Sequence, residues 1–242
     1  MIEVINEVIN FIYPDNIKCI LCECPISKTN TYSLCKTCFD ELNFIKDGCI
    51  KCGKITIRSI FEEIDIDQCE FCKNKTYYFD KVISCVEYTE TSKKIVFDFK
   101  YKSKTYLSKI ISQMMKEKLE SESIECDCIL SVPLHKKRYK ERGFNQSEKI
   151  ARYLSKEMNI PYLNLITRNT YTRKLYNLDY KERRIELRNT FKIKNIDKVR
   201  NKKVLIVDDI FTTGATVNEI SKLLKKENIS NIYVVTFLSK IK

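Results

Sequence analysis

Asp208 and Asp209 stand at the carboxyl end of a short apolar run, Val204 to Val207, and Thr212, Thr213, Gly214 and Thr216 follow at once. Such a run suits a buried parallel strand. Beyond it, Val217, Ile220, Leu223 and Leu224 share one face at helical spacing, which predicts a helix. Strand, acidic pair, hydroxyl-rich turn and helix N-terminus together can hold a phosphorylated sugar. The backbone N–H groups and dipole at a helix start favour a phosphate. Small residues let it approach, and hydroxyls add donors. Two carboxylates just behind can accept hydrogen bonds from vicinal ribose hydroxyls. No lysine follows Gly214, which excludes a nucleotide loop of the Gly-Lys-Ser/Thr kind. The competing reading is a buried strand followed by an ordinary threonine-rich turn.

The front of the chain carries a second chemistry. Eight of its 12 cysteines form Cys-x-x-Cys pairs: Cys19/Cys22, Cys35/Cys38, Cys49/Cys52 and Cys69/Cys72. Each pair is a bidentate thiolate knuckle, and two knuckles complete the tetrahedral shell a structural zinc prefers. Two zinc sites are the natural count. Sequential pairing is simplest, and an interleaved cross-brace fits the spacing too. An iron–sulfur cluster uses the same four thiolates. Cys24, Cys85, Cys126 and Cys128 are left over, and Cys85 reads as a small core residue in a strand pattern.

The 242 residues suit one medium domain with a small module, or two small domains. Lys and Arg outnumber Asp and Glu by 44 to 32, a formal charge of +12. That excess favours phosphate-rich partners, although an AT-rich coding bias spreads the same charge as solvated surface. No apolar run approaches the roughly 18 residues of a membrane span, so membrane insertion is not expected. The opening Met1–Tyr13 is amphipathic, lacks a basic start and is interrupted by Glu3 and Glu7, unlike a signal peptide. A cytoplasmic protein is expected, and there metal is a better reading of the cysteines than disulfides.

Strand patterns at Lys81–Tyr88, Ile129–Val132, Tyr162–Ile166, Val204–Val207 and Ile232–Leu238 alternate with helical ones. The helices are expected from about Ser92, over Thr105–Glu120 and over Lys149–Lys156. This alternation predicts an α/β fold with a mainly parallel sheet. A cysteine-rich module is expected over residues 1–78 and the α/β domain over 79–242. After the Ile129–Val132 strand comes Pro133–Ser147, crowded with Lys136, Lys137, Arg138, Lys140 and Arg142. Loops at the carboxyl ends of strands line the ligand crevice of an open α/β sheet, so this cationic loop is expected to face the Asp208–Thr216 loop. A solvated basic turn ending in a helix cap at Asn145 is the alternative.

The segment Val204–Thr216 resembles the phosphoribosyl-diphosphate (PRPP) binding motif of type I phosphoribosyltransferases. Pro133-Leu134-His135, then Arg138, then Arg142-Gly143-Phe144-Asn145-Gln146 resembles the ComF family at the same spacing. Tyr13-Pro14 ahead of Cys19 and Cys22 is similar to that family's opening to a double zinc ribbon. Arg168, Thr172, Leu178, Arg183 and Phe191 fit its stretch between the two loops, while Leu175 and Glu186 stand where Gln and Asn are expected. The resemblance implies a type I phosphoribosyltransferase-like sheet with helices on both faces, preceded by the zinc module. It also implies a role in DNA uptake for natural transformation.

On that resemblance, Asp208 and Asp209 are the catalytic acids and bind the ribose hydroxyls, directly or through Mg²⁺. Thr212, Thr213, Gly214, Ala215 and Thr216 cradle the 5′-phosphate. Pro133, Leu134, His135, Lys136 and Arg138 face the diphosphate, and His135 alone reads equally as a structural hydrogen-bonder. The expected cofactors are two structural zinc ions, and Mg²⁺ held mostly by PRPP. The run from Arg168 to Arg188 interleaves cations with Tyr171, Tyr176 and Tyr180. Arg173, Lys174, Tyr176, Arg183 and Arg184 in it can neutralise and stack single-stranded DNA, or the run is a flap over the PRPP site. The expected partners are PRPP, single-stranded DNA and a competence helicase or other DNA-processing protein. Two other function classes remain open: a salvage phosphoribosyltransferase acting on a free nucleobase, and a non-catalytic scaffold for competence partners.

Overall fold

The structure is a computed structural model that describes residues 17–55, 69–172, 178 and 180–240. Pro14, Arg173, Lys174, Leu175 and Tyr176, and the opening Met1–Tyr13, lie outside the described residues. In chain order, helix α1 (Lys36–Asp40) precedes strand β1 (Lys81–Glu87), helices α2 (Glu90–Tyr101) and α3 (Leu107–Ser121) and strand β2 (Cys128–Ser131). Helices α4 (Lys136–Arg142) and α5 (Gln146–Met158), strand β3 (Ile166–Arg168), helix α6 (Tyr180–Leu187) and strand β4 (Phe191–Ile193) follow. Strand β5 (Lys203–Phe211), helix α7 (Ala215–Lys225) and strand β6 (Asn231–Ser239) complete the chain.

The main sheet is parallel throughout, in the order β1-β6-β5-β2. Its strands read as continuous apolar runs because both faces are covered. Ile83, Cys85, Leu205, Val207, Val235 and Phe237 pack on one face with α2, α3 and α5. Val82, Leu130, Val204, Ile206, Ile232 and Val234 pack on the other with α7 and Leu187 of α6. Strands β3 and β4 form a separate antiparallel pair.

Local chemistry fixes where the site-bearing elements begin. A capping box starts α2: the Ser92 N–H donates to Thr89 Oγ1 at 3.1 Å, and the Thr89 N–H donates to Ser92 Oγ at 2.8 Å. Phe99, fully buried near the end of α2, packs against Phe144 with ring centroids 5.4 Å apart. Burying a ring of that size contributes about 2–3 kcal/mol, and it ties the end of α2 to the start of α5.

The cysteine-rich region lies along the β1 edge. Ile45 donates to the Cys85 carbonyl and Glu87 to that of Asn43, each at 2.9 Å, while Val82 donates to Lys51 at 2.9 Å. These bonds occupy backbone groups that an edge strand would otherwise leave open. Cys19 and Cys38 join the core on one face of the sheet, and Cys49, Cys52, Cys69 and Cys72 join the core on the other.

Three elements differ from the sequence reading. The basic stretch Pro133–Ser147 contains α4, a helix with no buried residue, so it has no apolar stripe to announce it. It is bounded by His135 as N-cap and by Gly143 in the left-handed conformation, φ 82°. Tyr162 makes only a single bridge to Ile129 at the sheet margin, and the strand proper, β3, begins at Ile166 and pairs with β4. Strand β5 does not stop at Val207; it runs through both acids to Phe211, because β6 continues to pair with it as far as Ser239. Among the described residues, no helix is long and apolar enough to cross a membrane.

Candidate functional site

A cleft of about 530 Å³ opens at the carboxyl ends of β2 and β5. Asp208 and Asp209 line it from β5, with Thr216 from the first turn of α7. The start of α5 supplies Gln146 and Ser147. The Ser147 hydroxyl donates to Asp208 Oδ1 at 2.9 Å, and the Asp209 N–H donates to the same oxygen at 2.9 Å. Gln146 Nε2 donates to Asp209 Oδ2 at 3.1 Å, and Lys100 Nζ from α2 forms an ion pair with that oxygen at 2.5 Å. Desolvation, and then the adjoining Asp209 carboxylate, push Asp208 up to about 7.

Two guanidinium groups line the same cleft, those of Arg138 and Arg168. Arg138 donates to the Thr172 carbonyl at 3.2 Å, and Arg168 donates to the Thr172 hydroxyl. Burial, then the nearby Arg138 charge, lower Arg168 to about 10. Its buried Nε has no hydrogen-bond partner among the described residues. Two cations held close together with an unanswered donor suit an anion with several oxygens.

The turn after β5 is shaped from below. Gly214 is left-handed at φ 76°, and a Cβ there would come within 2.8 Å of the Phe211 ring and 3.3 Å of Tyr77. Tyr77 Oη donates to the Thr213 carbonyl at 3.3 Å. Asn218 of α7 donates to the Thr76 carbonyl at 2.9 Å and accepts from the Tyr78 N–H at 2.7 Å. The segment just after Cys72 therefore braces the turn and its helix. Gly214→Val would strain the backbone itself, beyond any effect on phosphate approach.

The cleft lining brings together Pro133, Leu134, Arg138, Asp208, Asp209 and Thr216 of the expected residues. Thr212, Thr213, Gly214 and Ala215 form the turn beside it. Thr212 accepts a hydrogen bond from Arg183, which also donates to the Leu178 carbonyl at 2.8 Å. Arg183 of α6 thus sits on the turn, whereas Arg184 is exposed. His135 Nδ1 accepts from the Lys137 N–H at 3.2 Å, capping α4, and its ring meets Tyr171 edge-on at 5.2 Å. Lys136 is exposed. Asn145 stands at the N-cap of α5, but its amide donates to the Val132 carbonyl at 3.0 Å and ties the basic segment to β2. Sequence reasoning missed Lys100, Gln146 and Ser147 as site residues. Gln146 is the last residue of the motif Arg142–Gln146 and was accessible that way; Lys100 looks like any other lysine on an amphipathic helix.

The eight knuckle cysteines gather in two groups, Cys19, Cys22, Cys35, Cys38 and Cys49, Cys52, Cys69, Cys72, each with its sulfurs within 4.8 Å of one another. The grouping is sequential. Four sulfurs bound about 2.3 Å from one tetrahedral ion lie about 3.8 Å apart; Cys22 and Cys35, Cys49 and Cys72, and Cys52 and Cys69 are each 3.7 Å apart. Hydrogen bonds from Cys52 bring Cys69 down to about 7, and the Cys49 thiol raises Cys72 to about 12. Thiols that share protons in this way are those whose thiolates a cation would stabilise. Both groups fit a structural zinc.

Residues 105–242 match the phosphoribosyl transferase domain family. The chain is 30% identical over 175 residues to competence protein F of Haemophilus influenzae, covering 69% of this chain and 76% of that protein. The DNA utilization protein YhgH of Shigella flexneri is 25% identical over 222 residues, 89% of this chain and 94% of that one. Competence protein ComFC of Streptococcus pneumoniae is 25% identical over 227 residues, 89% and 96% of the two chains. The chain belongs to the ComF family. Its fold is accordingly type I phosphoribosyltransferase-like, with the two four-cysteine groups in the N-terminal region.

Two predictions follow from these geometries. Asp208 has a folded-state pKa above its unfolded one, so its contribution favours folding at low pH and is lost as pH rises toward 7. Asp208→Asn keeps the neutral form at every pH, so the variant should gain melting temperature over wild type as pH rises from about 5 to about 8; a constant difference would contradict the raised proton affinity of Asp208. Metal analysis of purified protein should give about two zinc ions per chain, and Cys49→Ser should remove one of them. A folded protein without metal would contradict the assignment.

Proposed function

We propose that this ComF-family chain binds PRPP with Mg²⁺ in the cleft above β5, binds single-stranded DNA on its basic surface, and serves DNA uptake in natural transformation. The observation that carries the reading is the acidic pair facing Arg138 and Arg168 across one cleft. PRPP has vicinal hydroxyls, which carboxylates accept, and a diphosphate, which guanidinium groups bind. In phosphoribosyl transfer the bond from C1′ to the diphosphate oxygen breaks as the bond to the acceptor forms. Asp208 and Asp209 orient the ribose through its hydroxyls. Arg138 and Arg168 stabilise charge gathering on the departing diphosphate, and the turn Thr212–Thr216 with the start of α7 holds the 5′-phosphate. The carboxylate oxygens are hard donors that suit Mg²⁺; when bound, that ion would neutralise diphosphate charge.

The DNA reading draws on the net charge of +12 and on the exposed Lys181 and Arg184 of α6 and Arg188 just after it, with Tyr171 46% exposed. The names of the relatives, competence protein and DNA utilization protein, point the same way.

Calorimetry should detect Mg²⁺-dependent PRPP binding in wild type and none in the Asp208→Ala, Asp209→Ala double variant. Equal affinity in the two would remove the cleft from the account. For DNA, log affinity should fall with log salt by about 0.7 per phosphate neutralised. Arg173→Ala, Lys174→Ala and Arg184→Ala together should flatten that slope and leave PRPP binding intact, whereas Arg183→Ala should weaken PRPP through Thr212. A triple variant that keeps the wild-type slope would move the DNA site elsewhere.

A further inference from the structure

We propose that Lys100 is the cleft's built-in counter-cation, holding Asp209 until a divalent metal arriving with ligand competes for it. The proposal rests on the reading of the cleft as a metal-assisted sugar-phosphate site, and it adds to that site a residue that neither acidic motif nor basic loop contains.

Lys100 Nζ lies 2.5 Å from Asp209 Oδ2, with side chains only 16% and 9% exposed. A surface ion pair would exchange freely with water; this one is largely enclosed and lines the cleft. The lysine is held from behind. Its neighbour Phe99 is fully buried against Phe144, and Gln146, two residues beyond Phe144, donates to the same Asp209 oxygen. The Phe99–Phe144 contact, between the end of α2 and the residues just before α5, therefore brings both groups to one carboxylate. An ammonium carries three donors, and Asp209 is the one partner found for Nζ among the described residues. Nearby, the buried Gln146 Oε1 has no hydrogen-bond partner among the described residues. The cleft thus keeps N–H donors and a carbonyl acceptor that no described residue answers.

Charge decides the consequence. With both ionised, the aspartates carry −2, and Lys100 reduces this to −1 at the position a divalent ion would take. At a separation of about 5 Å and an effective dielectric near 20, the repulsion between an ammonium and a divalent cation changes an equilibrium by well over tenfold. Lys100 therefore keeps the acidic pair from binding metal on its own. The metal has to arrive with an anionic ligand that draws the ammonium away from Asp209.

The test uses full-length protein with its cysteine groups loaded with zinc and Mn²⁺ alone as probe, read by the loss of the free-ion spin resonance signal. Lys100→Met keeps the stem and removes the charge; Lys100→Gln is the second variant, and thermal melts check that each folds. Both variants should bind Mn²⁺ at least about tenfold more tightly than wild type, and adding Asp209→Asn should abolish the gain. Equal Mn²⁺ affinity in wild type and both variants would overturn the proposal. Failure of wild type to bind PRPP at any Mg²⁺ concentration would instead overturn the sugar-phosphate reading, and the Mn²⁺ comparison would still decide the role of Lys100.

Discussion

Two carboxylates side by side at the end of a central strand repel each other and lose hydration together. Most of the cleft is arranged around that constraint. Asp208 meets it by accepting from Ser147 and from the Asp209 backbone, and by a raised affinity for its proton. Asp209 meets it with Gln146 and Lys100 on one oxygen. These partners come from two helices far apart in sequence, so α2 and α5 have to be seated on the sheet before the acids are satisfied. The same excess of acceptors is what a polyhydroxyl ligand with its metal would use. A sheet built only for stability would place apolar residues there, since replacing a buried charged cluster by packed hydrophobics is commonly neutral or better.

The cysteine groups enter the same structure from its edge. The segment from Asn43 to Lys51 hydrogen-bonds along β1, and the two groups fall on opposite faces of the sheet. The second group leads directly into Tyr77 and Tyr78, which brace the turn after β5 and the first turns of α7. Metal bound by Cys49, Cys52, Cys69 and Cys72 would therefore stiffen the platform under the Thr212–Thr216 turn as well as its own knuckles.

What could be read in advance follows physical lines. The strands β5 and β6 and helices α3 and α7 were legible because burial on both faces leaves long apolar runs and helical stripes. The acidic pair and the threonine turn were legible because their spacing is local. The sequential grouping of the cysteines was the simplest reading, and the geometry agrees with it. Helix α4 was hidden because its residues are charged and solvent-facing, with its boundaries set by a histidine cap and a left-handed glycine. The end of β5 was misplaced because pairing with β6, a tertiary effect, carries the strand past two residues that usually end one. Lys100 was invisible for a different reason: its role depends on the packing of Phe99 on Phe144, a contact 45 residues apart that no local pattern encodes.

On the proposed function, the acidic pair, Arg138 and Arg168 read one ligand between them. An experimental structure of the protein with PRPP and Mg²⁺ tests it most directly. The ribose hydroxyls are expected at Asp208 and Asp209, the diphosphate between Arg138 and Arg168, and the 5′-phosphate against the backbone of Thr212–Thr216. A ligand bound elsewhere, with Lys100 still paired to Asp209 and the cleft open, would contradict it.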